Sequence, residues 1–227
     1  MRSVLFDPEP RFTGLPERGF SLFSIPDRAQ RRRAIIETIH PALGLLGDDL
    51  IARLEPEKLG TLHVNLPRLD WPRSYEPFCT WVALSHHAHG YQGDAQLNVG
   101  IHADHVAIRL AWDTQAAAFG RFEFRCLHGG MGEPMVDAAG ALGLAFRVYA
   151  AAPWPEGSRL VFEHATDWRT AFAEVTRRGV WFEVGLRREI PESMAWAASV
   201  ELLHEATRIF RGLLPFYEQV ASPDRPS

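Results

Sequence analysis

The stretch "LNVGIHADHVAIRL" (97–110) decides the fold, because its two halves mirror each other across Ala103-Asp104. With the turn placed there, Ile101 faces Val106, Val99 faces Ile108 and Leu97 faces Leu110. The opposite face pairs His102 with His105, Gly100 with Ala107 and Asn98 with Arg109. Side chains alternate along a strand with a period of two, so a slip of one residue would exchange the two sets. Agreement on both faces predicts an antiparallel hairpin in this register. Ala103 is a poor first residue for a two-residue primed turn, and a longer turn with the same register is the alternative.

The same register has a chemical consequence. Directly opposed strand residues hold their Cβ atoms roughly 4.5–5.5 Å apart. His102 and His105 can therefore share a proton, an anion or one metal ion. Two histidines are too few for a structural zinc site, which takes four ligands, and no metal is assigned. Gly100 and Ala107, flanked by these histidines and by Asn98 and Arg109, make a shallow floor with polar walls.

Outward from the hairpin, "FCTWVALS" (78–85), "RFEFRCL" (121–127), "LAFRVYA" (144–150), "RLVFEH" (159–164) and "VWFEVGLRRE" (180–189) read as strands, and "FSLFSI" (20–25) as a short one. Glu183 falls on the same side of its strand as Trp181, on an outer face that is partly covered. Trp81, Trp112, Trp168 and Trp181 read as core residues. Asp27 is a good N-cap for a helix running to about His40, with Arg31, Arg32 and Arg33 on a solvated turn. Pro41 interrupts it, and "ALGLLGDDLIARL" (42–54) continues as a second helical piece. Residues 55–78 hold several prolines and read as an irregular excursion. "HGGMGEP" (128–134) is a turn without the spacing of a phosphate loop, and "MVDAAGALG" (135–143) a short helix. "ATDWRTAFAEVTRRG" (165–179) is a helix with Asp167 as N-cap and Gly179 as its stop. From Pro191 onward one long final helix is expected, with Leu202, Leu203, Ala206, Ile209, Phe210, Leu213 and Leu214 along its apolar stripe.

Strands bunched in the middle with helices at both ends predict an α+β fold. The expectation is a single domain with a mainly antiparallel β-sheet, helices packed on one face and a long C-terminal helix. Residues 1–19 form an N-terminal arm, 20–220 the domain and 221–227 a C-terminal tail.

"LSHHAHGYQGD" (84–94) places three histidines in four positions. It reads as a strand end and turn, where glycines and polar residues belong, so His86, His87 and His89 rank below His102 and His105.

Composition narrows the classes. At 227 residues, 46% apolar and 23% charged, the chain has enough substance for its own core. A net charge of −4 argues against a nucleic-acid or electrostatic membrane binder. Cys79 and Cys126 lack metal or redox spacing and read as buried thiols. No apolar run approaches a membrane span, and a cytoplasmic location is expected.

Several short motifs, in order, carry a family resemblance. They are "GFSLFSIPD" (19–27), "HPALGLLGDDLIARL" (40–54), "HV" (63–64), "TWVALS" (80–85), "HGYQGDAQLNVGIHADHVAIRLAW" (89–112) and "FRGLLPFYEQ" (210–219). With them the chain resembles the YktB-like family of uncharacterised proteins (uncharacterised protein family 0637, domain of unknown function 1054). His63, Trp81, Gly90, Tyr91, Gly100 and His105 fall on the positions that carry it. The resemblance implies a compact α+β domain with helices on one side of an antiparallel sheet, and it implies no activity. The family's basic stretches are replaced here by "NLPRLDWPRS" (65–74) and "HHAHGY" (86–91), which weakens any inference of a nucleotide or nucleic-acid ligand.

The leading functional expectation is a binding module. Its cleft, beside the central hairpin (94–112), would be lined by His63, Tyr91, Asn98, His102, His105 and Arg109 and hold a small polar or anionic ligand. Arg supplies bidentate contacts to such groups, and Tyr an apolar wall. Two other classes stand beside it. One is an interaction module acting through a sheet edge or the loop around Trp71. The other is an enzyme with His105 or His63 as base, oriented by Asp104 or Asp70. No cofactor follows from the sequence.

Overall fold

A computed structural model describes residues 9–54, 60–69, 79–89, 91–150, 160–164 and 168–221. Among them, seven strands form one sheet in the order β1-β2-β3-β4-β7-β5-β6, with every neighbouring pair antiparallel. The strands are β1 (His63–Asn65), β2 (Cys79–Ser85), β3 (Gln96–His102), β4 (His105–Asp113), β5 (Ala145–Ala150), β6 (Leu160–His164) and β7 (Gly179–Glu189). The helices are α1 (Arg28–Thr38), α2 (His40–Leu54), α3 (Ala117–Leu127), α4 (Gly132–Leu142), α5 (Trp168–Arg178), α6 (Met194–Ala197) and α7 (Glu201–Val220). The fold is α+β, as the sequence predicts.

The β3–β4 hairpin has the predicted register, from Gln96 against Ala111 to Ile101 against Val106. Its apolar set, Leu97, Val99, Ile101, Val106, Ile108 and Leu110, is buried and joins the main core. Helices pack on this face. Gly47 of α2 brings its backbone against Val64 and Val82, where an added Cβ would stand 2.8 Å from Val64. Phe122 of α3 stacks on Trp112 with centroids 4.1 Å apart, and Phe172 of α5 stacks on Phe182 at 5.3 Å. The whole predicted stripe of α7 is buried. The burial of so many aliphatic and aromatic side chains supplies most of the driving force for folding.

Local chemistry explains the first helix pair. The Asp27 side chain accepts a hydrogen bond from the Gln30 amide at 2.7 Å, which satisfies one of the first-turn donors of α1. Pro41 lies in the first turn of α2, where its missing N–H is not needed.

Several expectations are corrected. "RFEFRCL" lies in α3, not in a strand. Over the longer window the apolar residues Ala118, Phe119, Phe122 and Cys126 share one helical face and are buried, while Phe124 is 60% exposed. The short alternation was a fragment of a 3.6-residue period. "FSLFSI" lies mostly in a 3-10 helix, Glu17–Ser24, which buries Phe20 and Phe23 at the i, i+3 spacing of that helix. The excursion expected over 55–78 contains β1. Gly132 begins α4 rather than closing a turn. Gly179 is the first residue of β7, following α5 directly, and Asp167 lies outside the described residues. The final helix is two, α6 and α7, separated at Ala198–Val200. Gly14, at φ +137°, passes so close to the Ala198 backbone there that no Cβ could fit. Leu15 N donates to Ala197 O at 2.9 Å, and Phe12 and Leu15 are buried. Arg31 is buried rather than solvated, donating from Nε to Ile25 O at 2.8 Å and from Nη2 to Pro26 O at 3.3 Å.

Trp112 and Trp168 are core residues, whereas Trp81 and Trp181 are half-buried on the outer face. Cys79 and Cys126 are buried, as the sequence predicts, and burial pushes the Cys126 thiol up to about 12. No described helix is long and apolar enough to cross a membrane.

Candidate functional site

Strand alternation sends the second set of hairpin residues to the face away from the core. In cross-strand rows this face carries Trp81, Gly100, Ala107 and Arg187, then Asn98, Arg109 and Gly185, with Glu183 facing Ala111 and Arg147. The face is polar yet mostly buried. Gln96, Asn98, His105, Arg109, Arg147 and Glu183 are each less than a tenth exposed.

Arg109 is at its centre. Its Nη1 donates to Glu183 Oε2 at 2.7 Å and its Nε to Asn98 Oδ1 at 3.2 Å. Glu183 also accepts from the Tyr149 hydroxyl at 3.1 Å and from Trp181 Nε1 at 3.2 Å. Arg147 donates to Gly185 O at 2.9 Å. A buried charge needs a partner and filled hydrogen-bonding positions, and this network supplies both. Burial works against the Arg109 charge, but the Glu183 carboxylate outweighs it and holds its pKa above the ordinary value. Burial and the Glu183 charge push the Tyr149 phenol up.

The remaining guanidinium nitrogen, Arg109 Nη2, lies over Gly100. A Cβ on that glycine would stand 2.9 Å from Nη2 and 3.3 Å from His102 Nε2. The close approach of these side-chain ends, not the backbone angles, favours glycine at this floor.

Next to it, His102 and His105 stack with ring centroids 3.9 Å apart and planes 12° from parallel. His105 Nδ1 is 2.6 Å from Asp104 Oδ1. Both Nε2 atoms are enclosed and meet no hydrogen-bond partner among the described residues, and Gln96 Nε2 is in the same position. Burial first, then His105, Arg109 and Arg187, drive the His102 pKa well below its ordinary value. Burial and Arg187 lower that of His105, with Asp104 pulling the other way. Asp104 is held below the usual carboxylate range: its bond to His105 and the nearby cations outweigh its partial burial. At neutral pH the imidazoles are therefore uncharged and Asp104 is ionised.

Of the six residues expected to line one cleft, the fold gathers Asn98, His102, His105 and Arg109. Tyr91 is set apart: its hydroxyl accepts from Trp81 Nε1 at 3.0 Å, and it lines a separate open cavity of about 650 Å³ with Asn65, Arg68, His89 and Gln92. His63 is at the β1 edge, opposite Ser85. The earlier histidines have structural work. His86 N donates to the Tyr217 hydroxyl at 3.0 Å, and His86 Nδ1 to Thr61 O at 3.1 Å. His87 Nε2 is 2.8 Å from Asp94 Oδ2, whose other oxygen accepts from Arg121 Nη2 at 3.0 Å. Trp71 and Asp70 lie outside the described residues.

Glu183, Arg147, Tyr149 and Arg187 join the site through strand pairings that the sequence alone does not reveal. The signal available was the period of β7, which puts Glu183 on one face with Trp181; the pairing of β7 with β4 was not readable. Asp104, His105 and Glu189 also bring three potential ligand atoms within 4.8 Å of one another. Arg187 already stands there, with Nε 2.6 Å from Glu189 Oε1 and Nη2 3.8 Å from Asp104 Oδ2. Its cation thus stands within ion-pair distance of both carboxylates.

Residues 16–122 match the model of a family described as a domain of unknown function (DUF1054). It is 28% identical over 100 residues to a UPF0637 protein of Exiguobacterium sibiricum, covering 44% of this chain and 50% of that protein. UPF0637 proteins of Listeria welshimeri and Listeria monocytogenes are 25% identical over 101 residues, with the same coverage. The chain thus spans about half the length of the curated relatives it matches. The matched stretch contains the β3–β4 hairpin, while Arg147, Glu183 and Arg187 lie beyond it.

Proposed function

We propose that this protein, part of which matches the DUF1054 family, binds a small polar or anionic ligand on the outer face of its sheet, over Gly100 and beside the His102–His105 stack. The observation that carries this reading is the buried Arg109 guanidinium. Two of its nitrogens are held by Glu183 and Asn98, and the third is turned over a glycine floor toward an unpartnered histidine nitrogen. A guanidinium fixed in this way is preorganised, so little further order is lost when it takes an anionic oxygen. Buried polar atoms without partners are costly to keep, and a ligand that pairs them recovers that cost. Access is from the hairpin end, where His102 is half-buried and Ala103 and Asp104 are exposed. The buried thiols of Cys79 and Cys126 fit a reducing, cytoplasmic setting for this binding.

The test is thermal unfolding of the whole protein against rising phosphate, sulfate and malonate, in parallel with Gly100→Ala. A ligand at a hundred times its Kd stabilises a fold by about 2.7 kcal/mol. Concentration-dependent stabilisation of the native protein that is lost in Gly100→Ala is expected. No stabilisation by any of the three anions overturns the reading.

A further inference from the structure

Which anion suits the site follows from the tautomer of His105, and this step rests on the ligand-binding reading above. Asp104 is ionised and can only accept, and its Oδ1 lies 2.6 Å from His105 Nδ1. The neutral ring must therefore carry its hydrogen on Nδ1, which leaves Nε2 as a bare acceptor. That acceptor is enclosed and meets no donor among the described residues, and its residue is only 7% exposed. His105 stacks on His102 at 3.9 Å, and the His102 Nε2 and Arg109 Nη2 atoms both lie at Gly100, so the two rings and the guanidinium border one small region. The charged groups around the pair are Arg109 on its own hairpin, Arg187 and Glu189 on β7, and Asp104 in the turn.

The site thus asks for two opposite things from one ligand: oxygens that accept from Arg109, and a hydrogen that can be given to His105. We infer that the ligand is an oxoanion that retains a proton, of the class of hydrogen phosphate or a singly protonated phosphomonoester, whose P–OH donates to His105 Nε2. A fully deprotonated tetrahedral anion of similar size, such as sulfate, offers only acceptors. It would set a lone pair against the Nε2 lone pair and leave that atom unpaired. Sites built around a specific hydrogen bond reject analogues that lack the partner by as much as about 10⁴–10⁵-fold.

The experiment is calorimetric titration of the full chain with inorganic phosphate, phenyl phosphate and sulfate at pH 6 and pH 8. Phosphate or phenyl phosphate is expected to bind at least about 100-fold more tightly than sulfate. Whichever of the two binds more tightly distinguishes the free anion from an esterified one. Phenyl phosphate should weaken from pH 6 to pH 8 as its last proton, with a pKa near about 6, is lost. In Asp104→Ala the ring is free to place its hydrogen on Nε2, so discrimination against sulfate should fall at least about tenfold while phosphate binding persists. Equal or tighter binding of sulfate relative to phosphate and phenyl phosphate overturns this inference and leaves the anion site standing. An unchanged preference in Asp104→Ala also overturns it. No binding of any anion removes both.

Discussion

Arg109 Nη1 and Glu183 Oε2 meet at 2.7 Å across 74 residues of chain, with both side chains almost wholly removed from water. The pair joins the central hairpin to β7, the strand through which β5 and β6 attach to the rest of the sheet. Truncating one member of such a pair strands the other charge, at a cost of about 3–5 kcal/mol. Glu183→Ala should lose stability of that size in urea unfolding, since Tyr149 and Trp181 lose an acceptor as well. Glu183→Gln, which keeps the shape, should lose less. A loss within about 0.5 kcal/mol for Glu183→Ala, the range of ordinary surface changes, would show that the pair does not hold the sheet together.

Two glycines on this face should respond in opposite ways. At Gly185 a Cβ would run into the Ile108 carbonyl and the Arg109 backbone. Backbone cannot move aside cheaply, so Gly185→Ala should destabilise by about 1–3 kcal/mol. At Gly100 the atoms in the way are the far ends of Arg109 and His102, which can shift. Gly100→Ala should unfold within about 1 kcal/mol of the native protein yet bind anions at least tenfold more weakly. Matched urea and binding curves decide this, and equal stability losses for the two would contradict the assignment of the floor.

Stability should fall in mild acid. Burial lowers the His40 pKa to about 4, and its Nε2 is 2.7 Å from Thr80 Oγ1. The unfolded chain charges its histidines near about 6.5. Below that pH it binds protons that the fold does not, so stability is complete above 6.5 and drains as pH falls toward 4. His102 and His105, also shifted down, act in the same direction. The urea midpoint should be lower at pH 5 than at pH 7, and less so in His40→Gln. An identical pH slope in that variant would contradict the role given to His40.

The Tyr217 hydroxyl ties the last helix to the turn after β2, accepting from His86 N at 3.0 Å in a buried setting. Tyr217→Phe leaves that amide unpaired and should cost about 1–3 kcal/mol. Hydrogen exchange at the His86 amide should speed up accordingly. Unchanged exchange would show that the amide finds another acceptor.

Much of this architecture is legible along the chain, and the reason is local. The β3–β4 register follows from period-two alternation on two faces at once. The Asp27 cap, the break before Pro41 and the buried stripe of α7 follow from backbone chemistry and the 3.6-residue period. Over a short window the wrong period can dominate. "RFEFRCL" alternates over seven residues, yet α3 buries Ala118, Phe119, Phe122 and Cys126 on a helical face.

The site divides along the same line. That His102 faces His105, and that Asn98 and Arg109 share their side, is determined by the sequence alone, because adjacent strands joined by a short turn have little choice of partner. That β7 lies beside β4, so that Glu183 neutralises Arg109 and Arg187 stands over Asp104, was decided only by the tertiary structure. Tyr91 was likewise carried away from the histidines, onto Trp81, by the turn that precedes β3. A strand's alternation states which side chains share a face; it does not state which distant strand will lie next to it. That choice is made by the burial of Phe182 against α3 and α5, and the polar face inherits its partners from the packing of the apolar one.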